Sequence, residues 1–335
     1  MLTFILTIIL FCIMIIPHEF GHFAAAKISG IKVNEFSIGM GPKIYQKLGK
    51  ETKYSIRAFP IGGFCAMEGE DENSDNPRAF NNSTMPRKIF VLSSGALMNI
   101  IVAIILMIIT FQIVGMPTNT VGSVKENSPA KIAGIKTGDK IISIDDVRVN
   151  SWDDIIKTMD KKSKEAINVG VERNGINKNF EVIPELKDER MIIGITSKPG
   201  HNIFKSISYG TVATWKINKA MYQGLYQMIT GNVNIKKNVA GPIGIITLVG
   251  ESSRQGILSF IYLAVIISIN LAVINMLPFP ALDGGRVIFT IIRRITGNAI
   301  SDEVEGKIHL AGFILLIILL IFVTWNDIIR FLARR

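Results

Sequence analysis

Residues 1–26 read MLTFILTIILFCIMIIPHEFGHFAAA, and residues 2–16 carry no charged side chain, so the stretch predicts a membrane-spanning helix. The same stretch contains the pattern H-E-x-x-H, formed by His18, Glu19 and His22. Two histidines four residues apart share one helical face and can both bind zinc, while the glutamate can act as general base. A metal-binding group at membrane depth is costly and therefore indicates function. The prediction is hydrolysis by zinc, within or at the edge of a membrane.

A cleaved signal peptide is the alternative interpretation, because Ala24, Ala25 and Ala26 end the apolar run with small residues. No basic residue precedes the run, and a discarded signal would have no use for HEFGH. We therefore expect the helix to be retained.

Three further apolar blocks, at 89–114, 257–285 and 306–326, each reach the roughly 20 residues that a bilayer requires. The 335 residues are thus predicted to form a polytopic α-helical membrane protein with four transmembrane helices. The net charge of +10 does not indicate nucleic-acid binding, because Lys and Arg are scattered and form no stripe with aromatic residues. The two cysteines, Cys12 and Cys65, predict neither a disulfide framework nor a cysteine zinc site.

Basic residues predict the orientation of the chain. Ten Lys or Arg residues lie in the loop 27–88. Four more lie in the connection that leads from the third block into the start of the fourth, at Arg286, Arg293, Arg294 and Lys307. The positive-inside tendency places both connections in the cytoplasm and the middle of the chain outside the cell. The C-terminal residues Arg330, Arg334 and Arg335 argue the other way, but the larger loop decides the prediction.

The loop 27–88 also contains a strand-like region, 33–67, in which apolar and polar residues alternate between Gly and Pro turns. It predicts a small membrane-associated β-hairpin beside the first helix.

Residues 118–200 predict a small domain of strands and two short helices. Ser128 and Pro129 are typical of the cap and first position of a helix that Gly134 would end. Asn174-Gly175 indicates a hairpin turn. The order of these elements, and the run SPAKIAGIKTGD at 128–139, resemble an α/β PDZ domain of the permuted bacterial type. Residues 201–256 have aromatic residues at helical spacing, which predicts an interfacial amphipathic segment or a helix packed on the PDZ domain.

A zinc site needs at least a third protein ligand, and His201, His309 and Asp283 are the candidates. Asp283 is preferred. It follows Pro278 and Pro280 at the end of the third apolar block, where an unwound segment can line a cavity. Its predicted side of the membrane is also that of HEFGH.

The chain resembles the site-2 protease family in three features. They are HEFGH in a first span, NMLPFPALDGG at 275–285 in a late span, and a PDZ domain between them. More narrowly, the chain resembles bacterial intramembrane zinc proteases of the regulator-of-sigma-E protease type, with one PDZ domain. The likeness includes Gly62-Gly63-Phe64 and AGPIG at 240–244. The second helix reads GALMN at 95–99, where the family often has a proline after the glycine.

The resemblance implies that His18, His22 and Asp283 bind Zn²⁺ and that Glu19 is the general base. It implies that Asn275 helps to hold the substrate; Gly62 and Gly63 belong to the strand region that we expect to pair with an extended substrate. The expected substrates are single-span membrane proteins, such as an anti-sigma factor, remnant signal peptides or a pheromone precursor. Two alternatives stay open: a membrane-anchored protease that cuts soluble or loop segments, and a PDZ scaffold with a vestigial metal site.

Overall fold

A computed structural model describes residues 1–70, 72–187, 190–231, 240–297 and 301–333. The chain divides into a membrane unit, Met1–Met107 with Gly210–Arg335, and a PDZ unit, Ile108–Tyr209. In chain order the elements are α1 (Leu2–Ile28), β1 (Val33–Leu48), β2 (Lys53–Met67), α2 (Met85–Val114), β3 (Met116–Val124), α3 (Pro129–Ala133), β4 (Lys140–Ile144), β5 (Val147–Arg148), α4 (Trp152–Met159), β6 (Ile167–Arg173), β7 (Ile176–Val182), β8 (Glu185–Lys187), β9 (Arg190–Ile192), β10 (Ile195–Gly200), α5 (Ile203–Ile229), α6 (Pro242–Gln255), α7 (Ile257–Asn275), α8 (Asp283–Thr296) and α9 (Asp302–Ala333).

Four of the described helices are long and apolar enough to cross a membrane: α1, α2, α7 and the Glu303–Arg330 part of α9. The predicted number of spans is confirmed. The helices α2 and α9 extend beyond the predicted bounds 89–114 and 306–326. Their extra turns carry polar and charged residues, which a helix tolerates where it leaves the hydrocarbon.

The predicted hairpin is present as β1 and β2. Its antiparallel register pairs Val33 with Met67 and Ile38 with Gly63. Ile38 also pairs with Ile56, so the first half of β1 lies between two segments of β2. In the described part of the chain, the last segment of β2 therefore has a strand partner on one side only and forms an edge of this sheet.

The third span ends earlier than the sequence predicted, which corrects the boundary 257–285. Helix α7 stops at Asn275, and Asp283 is the first residue of the separate helix α8. The intervening residues contain Pro278 and Pro280, and proline removes a backbone donor and restricts the residue before it. Ala281 in this connection has a φ of 73°, a strained value for a residue with a side chain.

Residues 201–256 are not a single amphipathic segment, which corrects a second prediction. They contain two helices, α5 and α6, and residues 232–239 lie outside the described part. Helix α6 belongs to the core of the membrane unit: its buried Val249 packs with Leu10 and Met14 of α1 and Phe260 of α7. Helix α5 exposes Trp215 and other aromatic side chains.

The PDZ unit has a six-stranded sheet in the order β10-β3-β4-β6-β7, with β5 paired to β4. Buried Val121, Ile141 and Val169 contribute to its core. The helix expected after Ser128 is present: the Ser128 side chain accepts a hydrogen bond from the Lys131 N–H. The strand order, the capped helix and α4 make this unit an α/β PDZ domain.

Candidate metal centre

The two histidines of HEFGH face one another inside the membrane unit. Helix α1 places them four residues apart, where side chains lie on the same face one turn apart. His18 and His22 are only 7% and 8% exposed, and their Nε2 atoms are 3.3 Å apart. Two nitrogen lone pairs can therefore be directed at one point.

Asp283 brings an oxygen to the same point from the other end of the sequence. Its Oδ2 lies 3.3 Å from His18 Nε2 and 3.4 Å from His22 Nε2. Carboxylate oxygens are zinc ligands in proteins, alongside histidine nitrogens. The Asp283 side chain is thus a ligand candidate, and the three residues together form a group able to hold a metal ion.

The three atoms fit zinc. Ligands about 2.0–2.1 Å from a tetrahedral ion lie about 3.3–3.4 Å from each other, and the three distances here are 3.3, 3.3 and 3.4 Å. The buried Asp283 Oδ2 has no hydrogen bond of normal geometry in the described structure. Three protein ligands leave a fourth position open, as in catalytic zinc sites.

Helix α2 forms one wall of this centre, although no residue of α2 is among the ligand candidates. A Cβ on Gly95 would lie 2.4 Å from His22 Nε2, and one on Gly21 would lie 2.4 Å from the Ser94 carbonyl oxygen. The two glycines therefore allow α1 and α2 to touch at the two histidines. His22 Nδ1 lies 2.8 Å from the Val91 carbonyl oxygen. A glycine and an asparagine four residues apart within a span were the signal available for this wall.

The β-sheet edge holds Glu19. The Glu19 carboxylate accepts a hydrogen bond from the backbone N–H of Cys65 in β2. A Cβ on Gly63 would lie 3.3 Å from Glu19 Cγ and 2.8 Å from the Ser37 carbonyl oxygen. The edge segment of β2 thus runs directly past the general-base candidate. Gly62, with a φ of 98°, lies against Met40 instead.

Asn275 ends α7 beside the metal-ligand candidates, with its Nδ2 3.2 Å from His18 Nε2. The connection to Asp283 is closely packed: a Cβ on Gly284 would lie 2.4 Å from the Leu277 carbonyl oxygen. This packing fixes the start of α8, and with it the direction of the Asp283 side chain.

The two other histidines have different partners. His309 Nδ1 accepts a hydrogen bond from the Ala281 N–H at 2.8 Å and so holds the connection before Asp283. His201 belongs to the PDZ unit, where its Nδ1 lies 3.0 Å from the Gln112 carbonyl oxygen. Neither is part of the group of three ligands.

Comparison with known proteins agrees with this chemistry. The model of Peptidase family M50 matches residues 6–319. A relative from Clostridium acetobutylicum, named as a zinc metalloprotease, is 40% identical over 329 residues, which is 97% of each chain. The protein named regulator of sigma-W protease RasP from Bacillus subtilis is 28% identical over 416 residues, covering 98% of both chains.

A solved PDZ domain of an SdrC-like protein from Listeria innocua is 27% identical, and the match covers 25% of this chain and 97% of that one. Its TM-score of 0.22 is too low to argue from, so the PDZ assignment rests on the strand order described above. With a family match over nearly the whole length and four helices able to span a membrane, the chain belongs to peptidase family M50, the site-2 proteases, and is a multi-pass membrane zinc metalloprotease.

Proposed function

We propose that this protein is an intramembrane endopeptidase that cuts peptide bonds within or near the spans of single-span membrane proteins. The observation that carries the proposal is the position of the three metal-ligand candidates. Two of them lie in the spanning helix α1, and the third opens the helix that follows the spanning helix α7 in the chain. A protease that cuts soluble segments has no need to bury its centre among spans.

In this proposal His18, His22 and Asp283 hold the zinc, which when bound supplies Lewis acidity and activates water near neutral pH. Glu19 accepts the proton of the attacking water and returns it to the leaving nitrogen of the peptide. The hydrogen bond from Cys65 and the close contact with Gly63 keep the Glu19 carboxylate in place for both steps.

We place substrate binding at the edge segment of β2. This segment begins at Gly63, and Gly62 is the residue immediately before it. A helical peptide bond is shielded by its own hydrogen bonds, so the substrate must be extended before it is cut. An extended segment can add to this edge as a further strand, beside Glu19. The Asn275 amide lies next to His18, where it can bind backbone groups that unwinding sets free.

We further propose that the active site opens toward the cytoplasm and that the PDZ domain lies outside. There the PDZ domain restricts access to the active site and admits substrates that another protease has already shortened. The basic residues of the loop 27–88 support this orientation. The name of the Bacillus subtilis relative refers to regulation of sigma-W, which supports a membrane-bound anti-sigma factor as a substrate class. Remnant signal peptides are the second class.

The test is cleavage of a tagged single-span substrate co-expressed with wild-type protein or with Glu19→Gln, together with the zinc content of each purified protein. We expect one zinc in both and a cut inside the span with wild type only, because the substitution removes the proton acceptor and leaves the ligands. Substrate cut outside the span would support the soluble-segment alternative. Absence of zinc from the wild-type protein would contradict the assignment of the three ligands.

A further inference from the structure

Asn99 is a buried polar residue in the middle of the spanning helix α2. Its exposure is 0%, and its side-chain oxygen has no hydrogen-bond partner in the described structure. A buried amide oxygen without a partner is unfavourable, so an apolar residue would be better for stability alone. Its Nδ2 atom lies 3.3 Å from His18 Nδ1.

The protonation of His18 decides which amide atom faces it. If His18 Nε2 binds zinc, its lone pair is used there, and the neutral ring must carry its proton on Nδ1. That N–H needs an acceptor, and a half-turn of the Asn99 amide exchanges the places of its nitrogen and its oxygen. After this half-turn the unpartnered oxygen of Asn99 accepts from His18 Nδ1–H.

The second ligand shows the same arrangement. His22 Nδ1 lies 2.8 Å from the Val91 carbonyl oxygen, so its Nε2 is also the nitrogen left for a metal. Both imidazoles thus meet an acceptor on α2, a backbone carbonyl in one case and the Asn99 side chain in the other. Metal-ligating histidines commonly donate their second N–H in this way, which fixes the tautomer and the ring orientation.

The position of Asn99 is itself fixed. The Ser268 hydroxyl donates to the Asn99 backbone carbonyl at 2.9 Å, and both residues are fully buried. Ser268 belongs to α7, the helix whose last residue, Asn275, also contacts His18. The backbone of Asn99 is therefore held between two spans, and its side-chain amide lies beside His18.

We propose that Asn99 is a positioning residue of the metal centre, which accepts the Nδ1 proton of His18 and so keeps Nε2 free and aimed at zinc. The inference rests on the proposed role of His18 as a zinc ligand. It adds a residue that carries no charge and touches neither the metal nor the substrate.

The test measures the zinc Kd of the full-length protein in detergent, by competition with a chromophoric chelator, for wild type, Asn99→Leu and Asn99→Asp. Leucine has a similar volume but no acceptor, and we expect it to weaken zinc binding about 10–100-fold. Aspartate keeps an acceptor oxygen against Nδ1–H, and we expect wild-type affinity or tighter. The absorption spectrum of the Co²⁺-substituted protein, which reports the ligand geometry, should change in Asn99→Leu and be retained in Asn99→Asp.

Three results separate the possibilities. Equal zinc affinity in Asn99→Leu and wild type, with binding abolished by His18→Ala, would overturn the role of Asn99 and leave the proposed function intact. Equal weakening in Asn99→Leu and Asn99→Asp would also overturn it, because packing alone would then explain the effect. Zinc binding that His18→Ala does not weaken would overturn the ligand assignment and this inference together. Thermal unfolding of each metal-free protein checks that the variants fold.

Discussion

At the scale of single residues, the contact between α1 and α2 depends on the absence of side chains at Gly21 and Gly95. Each position lies so close to the neighbouring helix that an added carbon would come within 2.4 Å of another atom. At Gly95 that atom is His22 Nε2, one of the three proposed ligand atoms. The shape of the metal centre therefore depends on a residue that offers no ligand.

Replacing Gly95 with Ala should remove zinc binding without unfolding the protein. The new methyl group must displace the His22 ring, because the backbone of the helix cannot yield by a full ångström at a packed crossing. We expect the zinc content of the purified variant to fall to a small fraction of one per chain, with proteolysis lost in parallel. Gly306→Ala is the matched control, since nothing lies within 4 Å of its Cβ. Normal zinc content in Gly95→Ala would show that α1 and α2 are less close than described.

At the scale of elements, a buried ion pair joins β6 to the turn before β4 in the PDZ domain. The Asp139 side chain is 1% exposed, and Arg173 donates to both of its oxygens at 2.7 Å. The Lys136 backbone N–H donates to it as well, at 2.7 Å. Burial alone would raise the pKa of Asp139, but these donors lower it below its usual value.

The pair gives the domain a defined pH dependence. The folded-state pKa of Asp139 is lowered, so its carboxylate contributes fully to folding stability above the unfolded-state pKa of about 3.9. That contribution is lost as the pH falls further. Titration of Asp139 should therefore change the stability of the wild-type domain little between pH 7 and pH 4.5. In Arg173→Leu the buried carboxylate loses its partner, which costs about 3–5 kcal/mol at pH 7. Its pKa then rises, so lowering the pH to 4.5 should restore part of that stability.

Hydrogen exchange of β4 and β6 peptides in the full-length protein, corrected for intrinsic rates, measures both effects. Lys140→Leu is the control, because its pair with Glu172 is exposed and should contribute less than about 1 kcal/mol with no pH reversal. A variant Arg173→Leu that loses further protection at pH 4.5 would contradict the assigned electrostatics.

At the scale of the whole molecule, the proposed catalytic site and the PDZ domain belong to different parts of the chain. The metal-ligand candidates and the sheet edge belong to the membrane unit, whereas the PDZ domain is a separate compact unit. The orientation proposed for the two parts follows from the basic residues of the loop 27–88.

Cysteine labelling of intact and permeabilised cells tests that orientation. A cysteine in place of the exposed Asn177 in β7 should react with a membrane-impermeant maleimide from outside. A cysteine in place of the exposed Lys50, between β1 and β2, should react only after permeabilisation. Burial raises the pKa of the native Cys65 thiol, so it should contribute little background. The reverse pattern would place the active site on the outer side.

The sequence by itself determined the features that depend on neighbouring residues. Helical spacing brings His18, Glu19 and His22 close together along α1, and continuous apolar runs specify the spans. The Ser128 cap and the Asn174-Gly175 turn specify parts of the PDZ domain. Each of these follows from local backbone geometry or from transfer of side chains out of water, so a short stretch of sequence contains the information.

Only the tertiary structure decided how distant segments meet. Asp283 was preferred as third ligand from its surroundings, but its distance to the histidines depends on the break after Asn275 and on the packing of Gly284. The roles of Gly95 and Asn99 follow from the crossing of α1 and α2. Contacts between spans are selected by shape and by the pairing of buried polar groups, and neither property has a period along the chain.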